Sequence, residues 1–131
     1  MNFRYIALCL CLLALPSCAK QPPNLPAADV LIWQANEVVV ALGTAQHAAI
    51  QLNAVQVCPQ PTVCHPLLSD ANTRIVVDAT TDALLTIKAV PNGWLATANA
   101  ALKQIADRLD AEGRSKLSAY IAAVRAVIAG V

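Results

Sequence analysis

The sequence predicts an all-α fold: an antiparallel up-down bundle of four helices, or three if the last two are continuous. Three observations carry this reading. Apolar residues recur at steps of three and four through most of residues 27–131, the spacing of one helix face. Prolines and glycines fall between these stretches as punctuation. Alanine, the strongest helix former, is the commonest residue. With 57% hydrophobic and 13% charged residues among 131, the chain is too apolar for disorder and short enough for one domain. Nine Lys and Arg against eight Asp and Glu give a net charge of +1. A nucleic-acid module carries a basic excess, so no nucleic-acid partner is expected. No internal repeat is visible.

Residues 1–17 stand apart from the domain. Asn2, Phe3 and Arg4 form a short basic start, and Tyr5 to Leu15 is an uncharged 11-residue run. A membrane-spanning helix needs about 20 apolar residues, so this run has the length of a secretory signal peptide instead. The residues that follow, Leu15-Pro16-Ser17-Cys18, resemble the lipobox of bacterial lipoproteins, whether chromosomal or phage-encoded. That pattern is Leu, two small residues and Cys, and Pro16 departs from its usual Ala, Ser or Thr. The resemblance implies cleavage before Cys18, fatty acylation of the Cys18 thiol and attachment to the membrane through that lipid. Ala19, rather than Asp, implies sorting to the outer membrane and the periplasmic face of the envelope. Ser17-Cys18-Ala19 also fits the small-x-small rule of plain secretion, so both routes of export stay open.

Residues 18–26 (CAKQPPNLP) are Pro-rich and aperiodic, as suits a stiff tether. The bundle then occupies residues 27–131. In its first helix, Ala27 to about Gln56, the stripe Leu31, Ala35, Val38, Leu42, Ala45, Ala49 and Leu52 faces the core. Pro26 suits the first helical position and Asp29 the first turn. A loop over 57–65 follows, with Cys58 and Cys64 six residues apart. In an exported protein two cysteines this close read as a disulfide, a local staple worth roughly 2 kcal/mol.

The second helix is expected over about 66–89, with Leu68, Ala71, Ile75, Ala79, Ala83 and Ile87 inward. The β-branched run around 73–81 admits a strand at 73–78, but the long stripe favours helix. Pro91-Asn92-Gly93 is a turn. Leu95, Ala98, Leu102, Ile105 and Leu109 mark the third helix. A break is expected within 111–115, at Gly113 with Ser115 as the next N-cap. Leu117, Ile121, Val124, Ile128 and Val131 mark the fourth.

Catalytic patterns are scarce. His47 stands among polar residues of the first helix and reads as a surface histidine. Cys58, Cys64 and His65 have the residue types of haem attachment, but five residues separate the thiols instead of two. With His47 they also have the types of a zinc site, against which the oxidising compartment favours the disulfide. Asp78 with Asp82, and Asp70 with Arg74, read as solvated helix faces. Ser69, Ser115 and Ser118 lack a nucleophile elbow, and no glycine-rich phosphate loop exists. No enzyme activity, metal or cofactor is therefore expected.

The expected role is that of a small non-enzymatic envelope protein, structural or acting by contact with another envelope protein. The alternative is a periplasmic helical module that holds a small apolar ligand. The charged residues Asp107, Arg108, Asp110, Glu112, Arg114 and Lys116, at the junction of helices three and four, are the candidate partner contact.

Overall fold

The computed structural model describes residues 21–60 and 63–131. The expected signal peptide and Cys18 lie outside the described residues. Four α-helices are present among them: α1 (Ala27–Ala54), α2 (Asp70–Ala89), α3 (Trp94–Arg108) and α4 (Ala111–Gly130). A two-residue antiparallel pair, β1 (Gln56–Val57) and β2 (His65–Pro66), links α1 to α2. A 3-10 turn at Pro91–Gly93 precedes α3. The fold class is all-α.

The carbonyl of Pro26 accepts the first helical bonds of α1, from the Asp29 and Val30 amides at 2.9 and 3.1 Å. Pro26 thus stands just before the first turn. Ala35, Val38, Leu42, Ala45 and Ala49 are buried along one side, the stripe that the periodicity predicts. After Ala54 the chain turns extended at Val55 and pairs Gln56 with Pro66 and Val57 with His65. The Leu67 amide donates to the Val55 carbonyl at 2.7 Å and the Leu68 amide to that of Leu52 at 3.2 Å. These bonds hold residues 65–68 against the end of α1.

Consequently the second helix starts at Asp70 and not at residue 66. Ser69 caps it by accepting from the Asn72 amide at 3.2 Å. The β-branched run is helical. The Thr73, Thr80 and Thr86 hydroxyls each donate to the carbonyl four residues back, at 2.9, 2.7 and 2.8 Å, so these side chains are satisfied inside a helix.

The junction of α3 and α4 also differs from expectation. The break falls at Leu109 and Asp110, before residues 111–115, and the two helices are separate. Asp110 is the N-cap of α4, accepting from the Gly113 amide at 2.7 Å. Ser115 is inside the helix, and Gly113 belongs to its first turn.

The core has two apolar clusters. Ala35, Val38, Ala41, Leu42 and Ala45 of α1 share the first with Ala83 and Ile87 of α2, Trp94, Ala98, Ala101 and Leu102 of α3, and Val124 and Val127 of α4. The second joins Ala49, Leu68, Val76, Ala79, Ile105, Leu109 and Leu117. Two residues expected in the core lie outside it. Ala71 is exposed while Asn72 beside it is buried, and Leu95 is exposed while Trp94 takes the inward position. α1 packs against α2 and α4, and α2 packs against α3, whereas α3 and α4 touch only slightly. Polar side chains lace the same pairs. Gln34 Nε2 donates to the Val131 carbonyl at 2.6 Å, Gln46 Nε2 to Thr81 Oγ1 at 2.8 Å, and Asn53 Nδ2 to Asp70 Oδ1 at 2.7 Å.

Candidate contact surface

The candidate charged residues surround the start of α4, beside the segment that follows β2. Most of them are engaged within the chain. Asp110 Oδ1 accepts from the Gly113 amide and, at 2.9 Å, from Asn72 Nδ2, tying α4 to the first turn of α2. Arg114 Nε donates to the Leu109 carbonyl at 3.1 Å. Lys116 Nζ reaches both the Leu67 carbonyl and the Glu112 carboxylate, bracing that segment against α4. Asp107 is paired with Lys103 at 2.5 Å on the exposed side of α3. Arg108 is exposed in the last turn of α3, where its charge complements the helix dipole. The group is thus brought together, but Asp110, Arg114 and Lys116 serve as joinery.

The Gly113 amide, then the Asn72 side chain, hold the Asp110 carboxyl below its ordinary value of 3.8. The sign follows from which state each form favours. The folded chain prefers the carboxylate, so this contribution to stability is whole above the ordinary carboxylate value. It is lost as pH falls through the lowered one. Asp110→Asn keeps a capping side chain and removes the titration. Its melting temperature should therefore fall less steeply than that of the parent on acidification, and equal slopes in thermal melts would refute the assignment.

The loop over 57–65 and its disulfide are expected from the sequence; the exposed valine on it is not. Cys58 and Cys64 are joined by a disulfide. Leu68 at its base is buried, whereas Val63 beside Cys64 is 88% exposed and Val55 is half exposed. The one sequence signal for this surface is the valine inside a Pro-rich stretch between two cysteines.

The other chemical candidates are dispersed. His47 meets Gln51 at 3.4 Å on the outer side of α1, and His65 Nδ1 lies 3.0 Å from the Pro66 carbonyl. The bonded cysteines have no thiolate to offer zinc or haem, and no three His, Cys, Asp or Glu gather as ligands among the described residues. Asp78 and Asp82 are exposed. Among the described residues no helix is long and apolar enough to cross a membrane.

An enclosed apolar space at the centre of the core, lined by Leu42, Val76, Leu102, Ile105 and Tyr120 among others, holds about 10 Å³. A drug-sized ligand needs roughly 300 Å³ or more. An open cleft of about 220 Å³ runs between α2 and α3, lined by Ala79, Ala83, Thr97 and Ala100 among others.

No protein-family model, no curated protein and no solved structure matches the chain.

Proposed function

We propose that the protein is a non-enzymatic, lipid-anchored component of the bacterial cell envelope that acts by binding another envelope protein through the end carrying the Cys58–Cys64 loop. The observation that carries the contact reading is Val63. A large apolar side chain, 88% exposed, stands on a loop closed by a disulfide, and the residues that follow β2, Leu67 and Leu68, are bonded to α1 and α4. A loop that presents an apolar side chain from a packed scaffold is a common carrier of recognition. Arg108 and the Asp107–Lys103 pair supply a charged rim.

We also read the helices as alternating in direction, an up-down bundle. The make-up of the two clusters supports this, since residues 35–45 of α1 keep company with the later parts of α2 and α4 and the start of α3, whereas Ala49 farther along α1 joins Val76 and Ala79 of α2, Ile105 of α3 and Leu117 of α4. In that arrangement the stapled loop and the α3–α4 junction share the end remote from the start of α1, and so from a lipid on Cys18. Export is supported by the lipobox-like sequence and by the cysteine pair, which suits an oxidising compartment. The small central space favours contact over a buried apolar ligand.

Two substitutions test the reading in cells. Cys18→Ala should release the protein from membranes or stall its processing. Val63→Asp should weaken in-cell cross-linking to the envelope partner while leaving the melting temperature unchanged. The same partner captured equally by Val63→Asp and by Arg108→Glu would place the contact elsewhere.

A further inference from the structure

The outward side of α1 carries three exposed hydrophobic side chains, with a glycine near the middle of the row. Ile32, Val40 and Ile50 are 50, 65 and 46% exposed. Asn36, Gly43 and His47 complete the row at steps of four, four, three, four and three, which keeps all six on one side. The neighbours α2 and α4 cover the other sides of α1.

Gly43 is the anomaly. Glycine weakens a helix interior, and nothing inside the chain requires one here. A Cβ built at Gly43 meets no atom within 4 Å, and its backbone has an ordinary helical conformation. The position therefore opens on free space, where another backbone or a bulky side chain can come close.

We propose that this face is the interface of an antiparallel homodimer, and the occupant is a second copy of the chain. The reason is self-complementarity. A two-fold axis demands that one patch fit itself, residue i meeting j while j meets i. Run antiparallel about a point near residue 41, the row matches end for end. Ile32 meets Ile50, Asn36 meets His47, and Val40, the most exposed of the three hydrophobic residues, meets the open position at Gly43. Each match occurs twice. That point is also close to the middle of α1, so the two helices overlap along nearly their whole length. The contacting row from Ile32 to Ile50 spans about 27 Å at 1.5 Å per residue.

A lipid surface fits less well. Helices that lie on membranes carry Lys and Arg beside the apolar face, whereas α1 has Asp29 and Glu37 and neither Lys nor Arg in its 28 residues. A soft surface also has no use for the open position. One helix face per copy is small beside the roughly 1,200 Å² total that stable interfaces bury, so the dimer exchanges with monomer and its population follows concentration.

Sedimentation of the purified protein from low micromolar to near-millimolar concentration should show a monomer–dimer equilibrium. Val40→Glu and Gly43→Leu should each weaken it by about tenfold or more, as loss of a central contact does, with unchanged circular dichroism because both sites face outward. Gly43→Ala separates the interface from the fold: it should raise the melting temperature while weakening the dimer. An equal mixture of Ile32→Cys and Ile50→Cys chains should form a mixed cross-link that neither forms alone. A monomer at every concentration, a dimer indifferent to Val40→Glu and Gly43→Leu, or homotypic cross-links from each cysteine variant alone would overturn the proposal. Binding of the monomer to zwitterionic vesicles that Val40→Glu abolishes would also overturn it, assigning the face to lipid.

Discussion

Leu42→Ala should lower the stability of the folded chain by about 3 kcal/mol, within the 2–5 kcal/mol typical of buried leucine truncations. Leu42 is fully buried in the first cluster and borders the small central space. Its surroundings explain why the cost should not be recovered by relaxation. Ala41, Ala45, Ala98 and Ala101 in that cluster are already small, so they cannot reach across a new void. For a domain of this size the melting temperature should drop by roughly 10–20 °C. Leu95→Ala is the matched control, because Leu95 is half exposed and should cost within about 0.5 kcal/mol. Chemical denaturation of the two variants measures the contrast, and similar losses would mean that α3 presents a different face to the core.

Gly113→Ala should destabilise the protein by about 1–3 kcal/mol, although alanine is the better helix former by about 1 kcal/mol. A Cβ at this position would stand 2.6 Å from Asn72 Cγ and 2.7 Å from its Nδ2. Asn72 is only 3% exposed and is held by Asp110, so it cannot swing aside without abandoning that bond. Gly43→Ala, where a Cβ meets nothing, should instead stabilise the monomer by up to about 1 kcal/mol. Opposite signs for the same chemical change in two helices are the expected result. In an Asn72→Ala background Gly113→Ala should lose most of its penalty, a coupling that a double-mutant cycle reads directly. Additive effects would sever Gly113 from Asn72.

Periodicity made the helices legible, and it failed where a side chain's role depends on a distant partner. In α1 the steps of three and four picked out Ala35, Val38, Leu42, Ala45 and Ala49, all buried, even through the unbroken apolar run from Val38 to Leu42. In α2 and α3 an alanine or leucine was chosen over the adjacent residue, and Asn72 and Trp94 held the inward places. A buried asparagine carries no signal of its own; its reason is Asp110, 38 residues away. Gly113 looked like a terminator because glycine commonly ends helices, yet here its missing side chain makes room for Asn72. The β1–β2 pair is too short to alternate, so it delayed α2 unannounced. At the candidate surface, charge was readable and engagement was not. Lys116 and Arg114 differ from Arg108 only in which carbonyl lies within reach.

The placement of α4 has a consequence for the order of assembly. α1 with α2, and α2 with α3, are chain neighbours whose pairing closes short loops. α4 rests on α1 instead of on α3, and the carbonyl of Val131, just past its end, bonds a glutamine 97 residues earlier. Until α4 arrives, Ala41, Thr44 and Ala45 form one wall of an open trough. Closing a long loop costs only about 0.6 kcal/mol more per doubling of its length, so the final equilibrium scarcely feels the distance, but the search for it comes late. α4 supplies Leu117 to one cluster and Val124 and Val127 to the other. Its departure would strip both clusters together, so neither end of the molecule can melt by losing α4 while the other stays whole.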